Sequence, residues 1–84
     1  MTHTDTKELQ KRLDRAAELV QVGSNYRHRK GNLYRVEAIV IREADLSIAV
    51  VYRGVDNSAI PWERSLEQFL ERFHRVDITV APAG

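Results

Sequence analysis

The stretch Tyr26-Arg27-His28-Arg29-Lys30-Gly31-Asn32-Leu33-Tyr34-Arg35-Val36 sets four basic side chains (Arg27, Arg29, Lys30 and Arg35), one histidine and two tyrosines around a single glycine. Successive side chains of an extended backbone point to opposite sides, so Tyr26, His28 and Lys30 share one side and Arg27 and Arg29 the other. One face then mixes π surfaces with positive charge. That mixture suits single-stranded nucleic acid or a small anionic nucleotide, because rings stack on bases while cations meet phosphates. In that reading Arg27, Arg29, Lys30 and Arg35 meet phosphate and Tyr26 or His28 stacks. The same face suits a protein partner, and Trp62 with Arg64 extends it, since a ring after Ile60-Pro61 can line a peptide groove. The candidate ligand-contacting residues are therefore Tyr26, Arg27, His28, Lys30, Arg35, Trp62 and Arg64. The bland reading stands beside this one: Tyr34 and Tyr52 are suited to a core, arginines on a strand often only solvate it, and the basic cluster is smaller than that of most nucleic-acid domains.

Other chemistries find less support. A metal site needs three or four converging donors, and neither His3 nor His74 has a companion at ligand spacing. Ser24, Ser47, Ser58 and Ser65 lie outside any G-x-S-x-G elbow, and Glu63, Glu67 and Glu71 recur at i, i+4, i+8 as the wet face of a helix would. Gly31 and Gly54 are isolated and build no phosphate-cradling loop. No catalysis, cofactor or metal is expected, because a small domain seldom builds both a shielded pocket and a positioned acid/base pair.

With 84 residues there is room for one core. A hydrophobic fraction of 43% with 30% charged residues lies far from the composition of disorder. The chain has no cysteine, which fits a reducing compartment, and no apolar run near membrane-spanning length, so a cytoplasmic protein away from membranes is expected. The net charge of +1 is unevenly spread: residues 23–42 hold five basic groups against Glu37 alone, and residues 43–84 hold four against seven acidic ones.

The elements that would position the basic face follow from periodicity. Asp5 and Glu8 read as a helix start, and Leu9, Leu13, Ala16, Ala17 and Val20 fall on one side of an amphipathic helix closing near Val22-Gly23. The seam of Leu9, Leu13, Ala17 and Val20 is expected to drive dimerisation, making the chain a homo-oligomer. From residue 34 the period drops to 2, and Ile39 and Ile41 then make both faces of a long strand apolar. Residues 42–46 turn the chain back into a strand carrying Ile48, Val50 and Tyr52. Pro61 makes 59–62 an edge strand, Ser65 with Gln68 caps a short helix carrying Leu66, Phe69, Leu70 and Phe73, and Val76, Ile78 and Val80 alternate in a last strand ending at Pro82. This predicts an α+β fold: residues 1–22 an amphipathic helix, 23–80 a small SH3-like β-barrel with a short helix before its last strand, and 81–84 a disordered tail.

From Gly23 to about Val76 the chain also resembles a small bacterial family of unknown function. Its pattern opens Y-R-H-x-K-G-x-x-Y-x-V, here Tyr26, Arg27, His28, Lys30, Gly31, Tyr34 and Val36. It continues V-V-Y, here Val50, Val51 and Tyr52, and closes W-x-R-P-L-E-x-F, here Trp62, Arg64, Leu66, Glu67 and Phe69. Ser65 stands where the family tends to have proline, though both start helices, and the loop between Arg53 and Trp62 lacks the family's glycine-rich stretch. The resemblance implies a compact β-rich domain and brings no activity with it. The reading is then a non-enzymatic interaction module that binds a protein partner or itself through the basic-aromatic face, or alternatively a binder of single-stranded nucleic acid or a small anionic nucleotide.

Overall fold

The switch of apolar period near Gly23 marks the boundary between helix α1 (Thr6–Leu19) and strand β1 (Asn25–His28). The computed structural model describes residues 6–76, so the expected helix start at Asp5, the outer part of the last strand (Ile78 and Val80) and the 81–84 tail lie outside the described residues. After β1 come β2 (Leu33–Ile41), β3 (Ile48–Gly54), β4 (Pro61–Ser65), α2 (Leu66–Arg72) and β5 (Phe73–Val76).

Helix α1 stops three residues before the expected Val22. The Val20 amide still donates to the Ala16 carbonyl at 2.8 Å, but the Gly23 amide donates to Val36 O at 2.8 Å instead, which draws the chain into the sheet. The apolar stripe of α1 is only partly shared out: Ala16 and Val20 are fully buried within the chain's own fold, Leu9 and Leu13 are half-buried, and Ala17 is exposed. Val20 belongs to the same core as Tyr26, Val36, Val50, Tyr52, Phe69 and Phe73, so helix and sheet share one apolar interior. No described helix is long and apolar enough to cross a membrane.

The five strands form one antiparallel sheet in the order β4-β3-β2-β1-β5. Within β2 the register against β3 slips between Val36 and Ala38, so Val36 faces Tyr52 while Ile39 faces Val50. One extra residue at that point is a β-bulge, which turns the inward positions from even to odd numbers. This explains why both faces of that strand look apolar in sequence: they serve as the inner face in turn.

The fold is α+β, as the periodicities predict, but the sheet is not closed into the expected barrel. Its edge strands β4 and β5 share no ladder among the described residues. The reason lies in α2, which follows β4 without a loop. Ser65 accepts a hydrogen bond from the Gln68 amide at 3.3 Å and starts the helix at once. The chain therefore crosses the sheet face instead of running edge to edge, and Phe69 of α2 fills the space: its ring stacks on Phe73 at 4.3 Å and meets Tyr26 and Tyr52 at 5.1 and 5.5 Å. The helix ends at Arg72, and Phe73, expected on its apolar side, is the first residue of β5.

Candidate functional site

The turn from β1 to β2 sets the first half of the site. The His28 amide donates to Asn32 O at 2.9 Å and the Gly31 amide to His28 O at 2.7 Å, which closes the hairpin. Gly31 sits at φ +113°, a region that side chains disfavour even though a methyl group there would meet nothing within 4 Å. Gly31→Ala is therefore expected to cost about 1–2 kcal/mol through backbone strain alone, read as a lowered midpoint in urea unfolding. The turn folds Lys30 back on His28, whose Nδ1 accepts from the Lys30 amide at 3.0 Å. In the neutral imidazole the proton is then on Nε2, which is left as a donor.

His28 leans edge-on against Phe73, with ring centroids 4.8 Å apart. Partial burial, followed by the charges of Arg64, Lys30, Arg29 and Arg72, holds its pKa below the ordinary 6.5. A histidine that is neutral in the fold contributes stability that is whole above about pH 6.5 and is lost as pH falls through and below that value. Glu63 and Asp45, held below the usual carboxylate range by hydrogen bonds from Arg42 and Ser47 respectively, lose their contributions only below their ordinary values of 4.5 and 3.8. The melting temperature is thus expected to fall between neutral pH and mildly acidic pH, and His28→Gln should flatten that part of the profile while leaving the more acidic part in place.

The second half comes from β3 and β4. Trp62 lies opposite Tyr52 in the ladder and is 50% exposed. Arg64, two residues on and hence on the same face, donates from Nε to the Tyr52 hydroxyl at 3.4 Å. The rings of Tyr34, Tyr52 and Phe73 pack mutually edge-on at 5.0–5.6 Å. Around them lies an open hollow of about 250 Å³ lined by His28, Lys30, Asn32, Tyr34, Tyr52, Trp62, Arg64 and Phe73. A neighbouring hollow of about 370 Å³ shares Asn32, Tyr34 and Trp62 with it.

Four of the residues to which the sequence points (His28, Lys30, Trp62 and Arg64) are brought together here, and three are not. Tyr26 is a core residue, 4% exposed, whose hydroxyl accepts from the Gln21 amide at 2.9 Å, so the expectation that it offers an open stacking surface is corrected. Its ring lies against Phe69 because the strand buries the side that α2 covers. Arg27 reaches from the reverse side of β1 to the Gly31 carbonyl at 2.8 Å, and Arg35, on the reverse of β2, reaches Asn25 Oδ1 at 3.3 Å. Neither lines the hollow. Asn32, Tyr34, Tyr52 and Phe73 complete it beyond the candidates expected from sequence, although the family-like spacing of both tyrosines and the Gly31-Asn32 turn are visible signals.

Two arginines on the reverse of the sheet are paired with carboxylates, Arg42 with Glu63 and Arg53 with Glu37, whereas Arg27 and Arg35 there meet only neutral oxygens. Around the hollow, Lys30 and Arg64 form no ion pair with any described residue, and no carboxylate is among the lining groups. Nor do three His, Cys, Asp or Glu side chains gather anywhere among the described residues in a way that could hold a metal ion.

A family model described as "Protein of unknown function (DUF1653)" matches residues 24–80, more than half of the chain. The chain belongs to this family. No curated protein and no solved structure matches it. Every residue lining the hollow falls inside the DUF1653 domain, whereas α1 precedes it. The helix nevertheless supplies Val20 to the core of the DUF1653 domain, so the match is narrower than the folding unit.

Proposed function

We propose that the protein is a non-enzymatic binding module that takes an anionic ligand, single-stranded nucleic acid or a nucleotide, in the hollow between His28, Lys30, Trp62 and Arg64. One observation carries this reading: Lys30 and Arg64, neither of them paired with a carboxylate of any described residue, flank a half-exposed indole in a hollow that no carboxylate lines. Uncompensated cations beside a free π face complement a phosphate joined to a planar base. The neutral His28 adds an N–H donor to the same edge. An open hollow without carboxylates supports binding over acid/base catalysis, since His28 has no partner there to take or return a proton. The return of β5 to the side of β1, with a short helix after β4, supports an SH3-like reading of the domain.

Trp62 is the single tryptophan of the chain, so its emission reports directly on the site. Titration with a short mixed-sequence single strand at low salt is expected to quench it, and added salt should weaken the affinity steeply. If neither strands nor nucleotides bind at low salt and an acidic peptide does, the ligand is a protein segment and this reading falls.

A further inference from the structure

The second hollow differs from the first in its chemistry. It is bounded by Asp56, Asn57 and Ile60 on the loop between β3 and β4, and it meets the first across Trp62, Tyr34 and Asn32. That loop is drawn tightly over the end of β3: a Cβ on Gly54 would come within 2.9 Å of the Asn57 carbonyl. Asn57 Oδ1 accepts from the Ala59 amide at 3.3 Å, which leaves the side-chain NH2 as the free half of the amide. Asp56 has no ion pair or hydrogen bond with any described residue. A cationic hollow and one holding a carboxylate and an amide donor thus share the wall formed by one exposed indole.

We propose that the two hollows form a single nucleotide site, with phosphate held at Lys30 and Arg64 and a guanine base read by Asp56 and Asn57 on the other side of Trp62. The proposal rests on the phosphate-binding role of the first hollow. Charge sets the direction, because the Asp56 carboxylate repels a phosphate that Lys30 and Arg64 attract. The base follows from the donor pattern. A carboxylate accepts two parallel donors, and guanine alone of the common bases offers adjacent N–H groups, at N1 and N2, with the O6 acceptor beside them for an amide NH2. Ile60, 46% exposed, supplies apolar surface next to the indole for the base to cover. A free guanine nucleotide and a guanine within a single strand present the same chemistry.

The test follows Trp62 emission in the full chain with GMP, AMP, guanosine, and two short single strands differing in one guanine, for the wild type and for Asp56→Asn and Asn57→Ala. GMP is expected to bind about tenfold or more tightly than AMP, and guanosine more weakly than GMP. Asp56→Asn should abolish the preference while AMP binding is kept or improved, since a repelling charge is removed. A preference seen in the strands and not with GMP places the same site on a polymer. Equal binding of GMP and AMP, or a preference that survives Asp56→Asn, overturns base reading and leaves the phosphate hollow intact. Guanosine as tight as GMP overturns the division of labour between the hollows. Absence of all nucleotide and strand binding overturns both this proposal and the reading beneath it.

Discussion

Phe69→Ala is expected to remove about 3–5 kcal/mol of stability, the range for deleting a buried aromatic ring. Phe69 is fully buried and joins three strands at once, through Tyr26 of β1, Tyr52 of β3 and Phe73 of β5. A domain of this length has about 4–13 kcal/mol in total, at about 0.05–0.15 kcal/mol per residue, so the variant should lose between roughly a quarter and all of its stability. Leu70, the next residue on α2, is 43% exposed, and Leu70→Ala should change stability by about 0.5 kcal/mol or less. Urea unfolding followed by far-UV circular dichroism separates the two. Similar midpoints for both variants would mean that α2 does not roof the core.

The second large effect concerns binding. Lys30→Ala combined with Arg64→Ala is expected to weaken single-strand affinity about 30-fold at low salt, taking about 1 kcal/mol for each partly solvated charge interaction. The dependence of log affinity on log salt should flatten by about 0.7 for each phosphate that is no longer neutralised. Arg27→Ala removes one positive charge from the reverse side, where the guanidinium is engaged with the Gly31 carbonyl. A general charge effect would treat Arg27 and Arg64 alike, whereas a site at the hollow makes only the Arg64 change matter. Fluorescence anisotropy of a labelled strand gives both the affinity and the salt slope. Lys30 is exposed and neither residue forms an ion pair with any described residue, so the double variant should lose only about 1 kcal/mol of stability, through the hydrogen bond from Arg64 to the Tyr52 hydroxyl.

Local patterns carried much of the architecture. The amphipathic spacing from Leu9 to Val20 specified α1, the alternation through Tyr34–Val40 and Ile48–Tyr52 specified a strand pair, and Ser65-x-x-Gln68 specified the start of α2. These are nearest-neighbour effects, in which a cap, a turn glycine or a period acts over a few residues. The basic turn was legible for the same reason, since Gly31 commits it to a tight hairpin whatever surrounds it.

Which side of each strand is inside was not a local matter. The stretch Tyr26-His28-Lys30 reads as one exposed face, yet Tyr26 is sealed by Phe69, His28 is half covered by Phe73 and Lys30 stands in the turn. Only the path of α2 across the sheet decides where cover ends and the hollow begins. The same path keeps β4 and β5 apart, leaving an open sheet in place of the expected barrel. Trp62 and Arg64, more than thirty residues from His28 in sequence, reach it through the ladder of β3 with β4 and the ring packing behind Tyr52. Residue types and spacing by themselves determined the secondary elements and the stock of cations and rings. Long-range packing decided which of them share a surface, because burial is a property of the assembled fold and not of any segment.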